Sequence, residues 1–344
     1  MTSTAQRDGE VAILGLGKSG TSAAKLLLAD GKRVYVSDAG SAPAIQDTAR
    51  QLRDLGAAVD VGGHDLPRIA RAEKVVVSPG IDPAAPPVAA AREAHVPLVS
   101  EIEIALGYLD QSRMIAVTGT NGKTTTTALI GHILRGLGEN AVDAGNIGTP
   151  LTDFARRDQR PDWIALEMSS FQLHDTPSLA ADVGVLTNLS PDHLDRYPTA
   201  DDYYADKALL FRNASQASRW VLNKDDVRVS DMTSAIAGTA HRFSLRDESD
   251  AWFDDASGTL HLLGKPLMSR GEINLLGDHN IANALAASLA VSVADEKFRS
   301  DQSREGIAAA LRTFNALAHR LEIVGEKNGV QWINDSKATN VSSS

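Results

Sequence analysis

Short β-branched runs alternate with Ala- and Leu-rich stretches of helical spacing through residues 11–110. "VAILGLG", "RVYVSD", "AAVDVGG", "KVVVSPG" and "PLVSE" read as strands, and "GTSAAKLLLAD" and "AIQDTARQLRDLG" between them read as helices. Strand, helix, strand at this rhythm predicts a parallel sheet covered on both faces. A second series opens at "RMIAVTG" (113–119) and continues through "WIALEMS", "DVGVLTNLS" and "RWVLN", with helices expected at 123–137 and 201–214. Residues 251–268 pattern as a hairpin appended to that second sheet, and helices are expected at 279–294 and 303–316. The expected class is α/β, in three parts: residues 1–110, 111–318 and the beginning of a third α/β unit at 319–344.

Composition narrows the function. The 344 residues suit two or three domains, with 43 % apolar and 23 % charged residues. A net charge of −10 and a pI near 5.4 argue against general affinity for nucleic acid or anionic membrane. The absence of cysteine excludes disulfides, thiolate metal sites and thiol nucleophiles. No run reaches the ~18 apolar residues that a membrane helix needs, and "MTSTAQRDGE" lacks the basic flank and apolar core of a secretory signal. A cytoplasmic monomer without membrane insertion is the expectation. An acidic chain that binds phosphate must do so with local turns and a few placed cations.

Two such turns are present. "GLGKSG" places Gly15, Gly17 and Gly20 between a strand and a helix, and Asp38 ends the next strand. This is the pattern of a Rossmann-like dinucleotide-binding unit: one glycine for the tight turn, one for close approach to phosphate and one for helix–strand packing. The second turn, "TGTNGKTT", is a P-loop. Backbone N–H groups of 119–124 would cradle phosphates, Lys123 would bring a cation, and the Thr124 hydroxyl suits Mg²⁺. It departs from the usual G-x-x-x-x-G-K-[ST], because Val117 stands where the first glycine belongs. ATP is the expected ligand of the second turn.

Three further stretches fall at strand ends, the edge where open α/β sheets bind ligands. "EMSSFQL" puts Glu167 after an apolar run, placed for Mg²⁺. "NLSPDHLDRY" carries Asp192, His193 and Asp195; the two aspartates fit capping or charge pairing as well, and His193 alone fits a structural histidine equally. "DHNIANALAA" opens a helix with Asn280 and Asn283, amides able to read an adenine edge, although Asn280 also suits a helix cap.

In this order, TGTNGKTT, EMSSFQL, NLSPDHLDRY, HNIANA, HR and NDSKATN resemble the Mur ligases of peptidoglycan synthesis, and the likeness runs from about residue 11 to the last residue. The P-loop and HNIANA are family-wide; SSFQL and NDSKATN resemble the D-glutamate-adding branch. The resemblance implies ATP-dependent activation of a carboxylate as an acyl phosphate, which an incoming amine displaces to form an amide. It implies UDP-N-acetylmuramoyl-L-alanine, ATP and D-glutamate as partners, with two Mg²⁺ ions. Gly119, Thr120, Asn121, Gly122, Lys123, Thr124 and Thr125 would hold the ATP phosphates and first Mg²⁺, Glu167 would bridge the metals, and His193 would bind the second. Lys207, which on sequence alone reads as a surface helix lysine, matches the family's carbamylated lysine. Arg320 and Asp335 would reach the nucleotide alongside Asn280 and Asn283. Gly15, Leu16, Gly17, Lys18, Gly20, Asp38, Ser78, Pro79 and Gly80 would hold the UDP part, Asn146 the muramoyl part, and Ser169, Gln172, Lys337 and Thr339 further parts of substrate or product.

Three rivals remain at this point. A dehydrogenase would use the first turn for NAD but leaves the P-loop without purpose. A folylpolyglutamate-synthetase-like ligase shares the P-loop chemistry but begins at that loop. A non-catalytic nucleotide-binding fragment is the third, because "LEIVGE" and "VQWIND" supply two strands and no helix to cover them. On that ground the chain is expected to be C-terminally truncated, with 319–344 as a poorly packed stub, and to bind substrate and nucleotide without completing D-glutamate ligation.

Overall fold

The computed structural model describes residues 9–320, 322–327 and 330–337. In chain order the elements are β1 (Glu10–Leu14), α1 (Lys18–Ala29), β2 (Arg33–Asp38), α2 (Pro43–Asp54), β3 (Ala58–Val61), α3 (Leu66–Ile69), β4 (Lys74–Val77), α4 (Pro86–Glu93), β5 (Leu98–Val99) and α5 (Glu101–Leu106). There follow β6 (Arg113–Thr118), α6 (Lys123–Gly136), β7 (Ala141–Gly145), α7 (Leu151–Ala155), β8 (Trp163–Glu167), α8 (Ser170–His174), β9 (Val183–Leu186), α9 (Ala200–Ala208), β10 (Arg219–Asn223) and α10 (Val227–Met232). The remainder is β11 (Thr239–Ser244), β12 (Ala251–Asp254), β13 (Thr259–Leu262), β14 (Lys265–Ser269), α11 (Asp278–Ala294), α12 (Asp301–Thr313), β15 (Glu322–Lys327) and β16 (Val330–Asn334). The chain divides into two compact units. The first runs to Gln111 and takes in two excursions, Gly148–Arg160 and Phe171–Leu179; the second holds the rest.

The first unit is a five-stranded sheet of order β3-β2-β1-β4-β5, parallel throughout. Every residue of β1 is buried, as a strand covered on both faces requires. Ala12 and Leu14 pack with Ile69, Val88 and Ala91 from the helices of one face. Ile13, on the opposite face, meets α1: a Cβ on Gly20 would stand 3.3 Å from Ile13 Cγ2 and 2.1 Å from the Gly15 carbonyl oxygen. Only a residue without a side chain lets the helix sit this close to its strand. The strand order reverses at β1, whose loop and that of β4 bracket the crevice where such sheets take ligands.

The first unit also buries a carboxyl. Glu101, 4 % exposed, accepts the Thr152 N–H at 2.5 Å and stands 2.5 Å from Thr152 Oγ1. Thr152 Oγ1 lies 2.7 Å from Ser22 Oγ, which lies 2.6 Å from Asp153 Oδ1. Three oxygen–oxygen contacts need three protons, and two hydroxyls supply only two. A carboxyl must carry the third, and burial pushes Glu101 up to about 7. Since its pKa in the fold stands above the ordinary 4.5, the stability it lends is full below that value and is lost as pH rises through about 7. The difference is worth about 3 kcal/mol. Chemical denaturation from pH 5 to 8 should show this loss in the parent chain and a flat profile in Glu101→Gln; an equal slope in both would assign it to another group.

The second unit is a nine-stranded sheet of order β14-β13-β12-β11-β10-β9-β6-β8-β7. Strands β7 to β12 pair in parallel, and β13 and β14 add antiparallel. The segment expected as a hairpin is therefore a three-strand meander, because "LHLLGKPLM" turns once more at Leu263–Gly264. Helix α11 is buried around nearly its whole circumference, which its run of Ala, Leu and Val permits. It packs on α6 and on β9 to β13. Each Leu or Ile so buried contributes about 1.5–3 kcal/mol. That packing fixes α6, whose first turn carries the P-loop. A two-stranded antiparallel sheet, β15–β16, closes the described chain; Val324, Val330, Trp332 and Ile333 on it are exposed. Among the described residues no helix is long and apolar enough to cross a membrane.

Candidate functional site

In the second unit the loops after β8, β6 and β9 stand side by side at the carboxyl edge of the sheet, since these strands are neighbours in the order β9-β6-β8. The P-loop after β6 is shaped by the loop after β9. Thr120 N–H donates to the Asn188 carbonyl at 2.9 Å. The Asn188 side chain clasps Asn121 at two points, accepting its N–H at 2.9 Å and donating to its carbonyl at 3.0 Å. Thr187 Oγ1 adds a bond to the same carbonyl at 2.7 Å, and Thr120 Oγ1 exchanges hydrogen bonds with Ser190 N and O, each 3.0 Å. The loop is pressed so close that a Cβ on Gly119, at φ 146°, would stand 1.9 Å from Thr187 Oγ1.

These bonds bear on the N–H groups expected to cradle phosphate. The N–H groups of Thr120 and Asn121 are spent inside the protein. The first N–H groups of a helix have no partner within it, and the N-cap of α6, Gly122, provides no side-chain oxygen. The N–H groups at the start of α6, Lys123 to Thr125, are the ones placed to meet an anion, which the helix dipole also favours.

Two lysines converge behind it. Lys123 Nζ donates to the carbonyls of Gly119 at 3.0 Å and Thr120 at 2.7 Å, and Lys207 Nζ donates to the same Gly119 carbonyl at 2.7 Å. The reading of Lys207 as a surface lysine is corrected: it is 1 % exposed, on a helix whose other buried residue, Tyr203, lies with its ring centroid 4.6 Å from Nζ. Sequence alone missed this because "DKALL" carries one charged residue into the buried stripe of α9, and its stem is long enough to pass as apolar. Burial, then the charge of Lys123, pulls its pKa well below 10.5. Burial also lowers Lys123, against the fields of Glu167 and Asp192.

Glu167, at the end of β8, is 1 % exposed; its Oε1 accepts from Asn146 Nδ2 at 2.9 Å and its Oε2 is buried without a hydrogen-bond partner. His193 takes a left-handed conformation, φ 54°, with its ring centroid 5.9 Å from that of Tyr203 and its Nε2 3.9 Å from Asp192 Oδ2. Asp195 lies in the same exposed turn. Thr124 Oγ1 accepts from Arg320 Nη2 at 3.0 Å. Asn280 and Asn283 are buried and joined to each other at 3.1 Å; Asn283 Oδ1 accepts from Thr126 Oγ1 at 3.2 Å, and Asn280 Nδ2 donates to the Leu276 carbonyl at 2.7 Å. Ser169 is half-buried beside Glu167, Lys337 is exposed with its N–H on the His319 carbonyl at 3.1 Å, and Asp335 is half-buried. Thr339 lies outside the described residues.

The bare Glu167 oxygen fits a cation. Among the described residues no three His, Asp or Glu side chains cluster closely enough to hold one, so a metal here would complete its ligands from Thr124, His193, phosphate oxygens and any group added to Lys207.

In the first unit, Asp38 accepts the Leu16 N–H at 2.7 Å through one oxygen and the Gly40 N–H at 2.7 Å through the other. The carboxylate expected to read a sugar or base thus also braces the glycine turn. Ser78 Oγ, before Pro79 and Gly80, is buried without a hydrogen-bond partner, and Lys18 is exposed at the start of α1. Gln172 is buried in α8. The sequence reading missed Ser37 and His64, joined at 2.8 Å, with His64 near enough to Asp38 to feel its charge. It also missed Thr187 and Asn188, whose one signal was a polar pair directly after the apolar "VGVL".

Residues 9–100 match the Mur ligase MurD-like, N-terminal domain, and residues 117–291 the Mur ligase middle domain. The UDP-N-acetylmuramoylalanine–D-glutamate ligase of Desulfatibacillum aliphaticivorans is 36 % identical over 336 residues, covering 96 % of this chain and 73 % of that protein. Its namesake from Pelotomaculum thermopropionicum is 38 % identical over 335 residues, covering 96 % and 72 %. Among solved structures, the UDP-N-acetylmuramate:L-alanyl-γ-D-glutamyl-meso-diaminopimelate ligase of Neisseria meningitides superposes with a TM-score of 0.61 at 20 % identity, over 90 % of this chain and 99 % of that one. The UDP-N-acetylmuramate–alanine ligase of Thermotoga maritima gives 0.57 at 20 %, over 95 % and 74 %. The match at 9–100 leaves no place for a ligase that begins at its P-loop. With both domain matches in register with the two sheets, the chain belongs to the Mur ligases, in their MurD-like branch.

Proposed function

We propose that this Mur ligase activates the carboxylate of UDP-N-acetylmuramoyl-L-alanine with ATP and passes it to the amine of D-glutamate, in the cytoplasm. The observation that carries the reading is the pair of phosphate-binding turns, one per unit, each at the strand whose loop opens the sheet's ligand edge. One turn suits the UDP group of the substrate, the other the ATP phosphates.

A carboxylate cannot acylate an amine until one of its oxygens becomes a leaving group, and transfer of the γ-phosphoryl group makes it one. The start of α6 binds phosphate oxygens through the N–H groups of Lys123 to Thr125, and Lys123 adds a mobile ammonium. Two anions must meet in this reaction, so cationic groups fixed beforehand lower its barrier. Thr124, Glu167 and His193 would hold Mg²⁺, which when bound neutralises charge on the phosphates. Two ions are expected, with a carbamate on Lys207 facing the second. The buried Lys207 amine suits that modification: the lone pair of the neutral amine attacks CO₂, a C–N bond forms as one C=O π bond opens onto oxygen, one proton leaves the nitrogen, and a neutral amine becomes an anionic carbamate. Asn280, Asn283, Arg320 and Asp335 serve the nucleotide; Asp38, Ser78 and the Gly15–Gly20 turn serve the UDP group.

The reading is tested by titrating the full chain with each ligand while the other is saturating. Two independent sites support it, and competition for one site overturns it.

A further inference from the structure

The end of β7 is built onto Glu167. Gly145 and Glu167 are register partners across β7 and β8, and a Cβ on Gly145 would stand 2.1 Å from the Glu167 carbonyl oxygen. The next residue, Asn146, donates its N–H to that carbonyl at 3.0 Å and its Nδ2 to Glu167 Oε1 at 2.9 Å. The glycine permits the approach, the backbone bond fixes it, and the side-chain amide holds one carboxylate oxygen. The other, Oε2, is buried with no hydrogen-bond partner on a side chain 1 % exposed. A carboxylate serving the fold alone would have both oxygens satisfied, because a buried acceptor without a donor is costly. Here one oxygen is clamped and one is left bare.

We propose that Asn146 is a positioning residue for the cation site: its amide holds Glu167 Oε1 so that Oε2 alone meets the metal. This rests on the reading of Glu167 as a Mg²⁺ ligand. It gives Asn146 a role different from the muramoyl contact that family resemblance implies, and the two roles separate experimentally. An amide facing the substrate governs substrate affinity whether or not metal is present. An amide orienting a ligand governs metal affinity whether or not substrate is present.

The experiment uses the full chain with saturating ADP and no UDP-sugar, with Mn²⁺ as the probe counted by its free-ion paramagnetic resonance signal. Asn146→Ala keeps the backbone bond and removes only the amide. It should weaken Mn²⁺ binding by about 10-fold or more, with unchanged metal-free affinity for UDP-N-acetylmuramoyl-L-alanine and a melting temperature lowered only by the lost donor to Oε1. Glu167→Gln, measured alongside, should weaken Mn²⁺ at least as much. If Glu167→Gln leaves Mn²⁺ affinity intact, the metal reading of Glu167 itself is wrong. If Glu167→Gln weakens it and Asn146→Ala does not, Asn146 does not position the ligand and this proposal falls. Loss of substrate affinity alone in Asn146→Ala returns the residue to the muramoyl contact.

Discussion

Replacing Lys123 by Ala is expected to weaken ATP–Mg²⁺ binding to the full chain by about 10- to 100-fold, the worth of one or two hydrogen bonds from a charged donor. Acyl phosphate formation, wherever it is assayed, should fall further, by orders of magnitude, because the ammonium gains most where charge develops. Folding should change little. Lys123 sits at the start of α6 and not in the apolar core, and the Gly119 carbonyl it leaves keeps its 2.7 Å bond from Lys207. Calorimetry of ATP–Mg²⁺ binding beside a thermal melt checks both halves. Unchanged affinity would place the phosphates elsewhere, and a collapsed melt would make Lys123 structural.

Lys207 carries the second large effect. Its amine is buried on the Gly119 carbonyl, and burial followed by the neighbouring Lys123 charge keeps its pKa far below the ordinary lysine range. A neutral amine holds the lone pair that CO₂ needs. Equilibrating the protein with ¹³C-bicarbonate should therefore give a single carbamate resonance, absent in Lys207→Met, which keeps the volume of the stem. The same substitution should cut phosphoryl transfer by about a hundredfold or more. Lys207→Ala leaves room for a small carboxylate and should regain part of the loss with added formate or acetate. A Lys207→Met protein with full activity rules out the carbamate, as does a parent chain without the resonance.

The alternation of β-branched and Ala/Leu segments was enough to read both sheets, because strands buried on two faces leave an unbroken apolar signature. It placed β2 and β10 at their observed bounds, Arg33–Asp38 and Arg219–Asn223. What it could not read were elements whose signal is weak or whose context is tertiary. Strand β7, "AVDAG", carries an aspartate that pairs with Arg135 at 3.0 Å, and β11, "TAHRFS", is half polar. The excursions 148–160 and 171–179 join the first unit across a long stretch of sequence, with Thr152 meeting Glu101 and Ser100 meeting Thr176. No local pattern encodes such pairings. Of the candidate site, the sequence shows the positions where chemistry forces a motif, as at Lys123 and Glu167, which the fold sets at the carboxyl edge of the neighbouring strands β6 and β8. The site was illegible where ordinary amides and hydroxyls, such as Asn188 and Thr187, shape the loop that the motif decorates.

The central claim is that one chain holds two phosphorylated ligands on two turns. Its most direct measurement is calorimetric titration of the full chain with UDP-N-acetylmuramoyl-L-alanine, then with ATP–Mg²⁺ on the saturated complex, and again in reverse order. The account predicts one site for each, neither displacing the other. Lys123→Ala should weaken the ATP isotherm by the same ~10- to 100-fold while keeping that of the UDP-substrate, and NAD should give no heat in either order. Mutual displacement of the two ligands, or NAD competing for the UDP-substrate site, would contradict it.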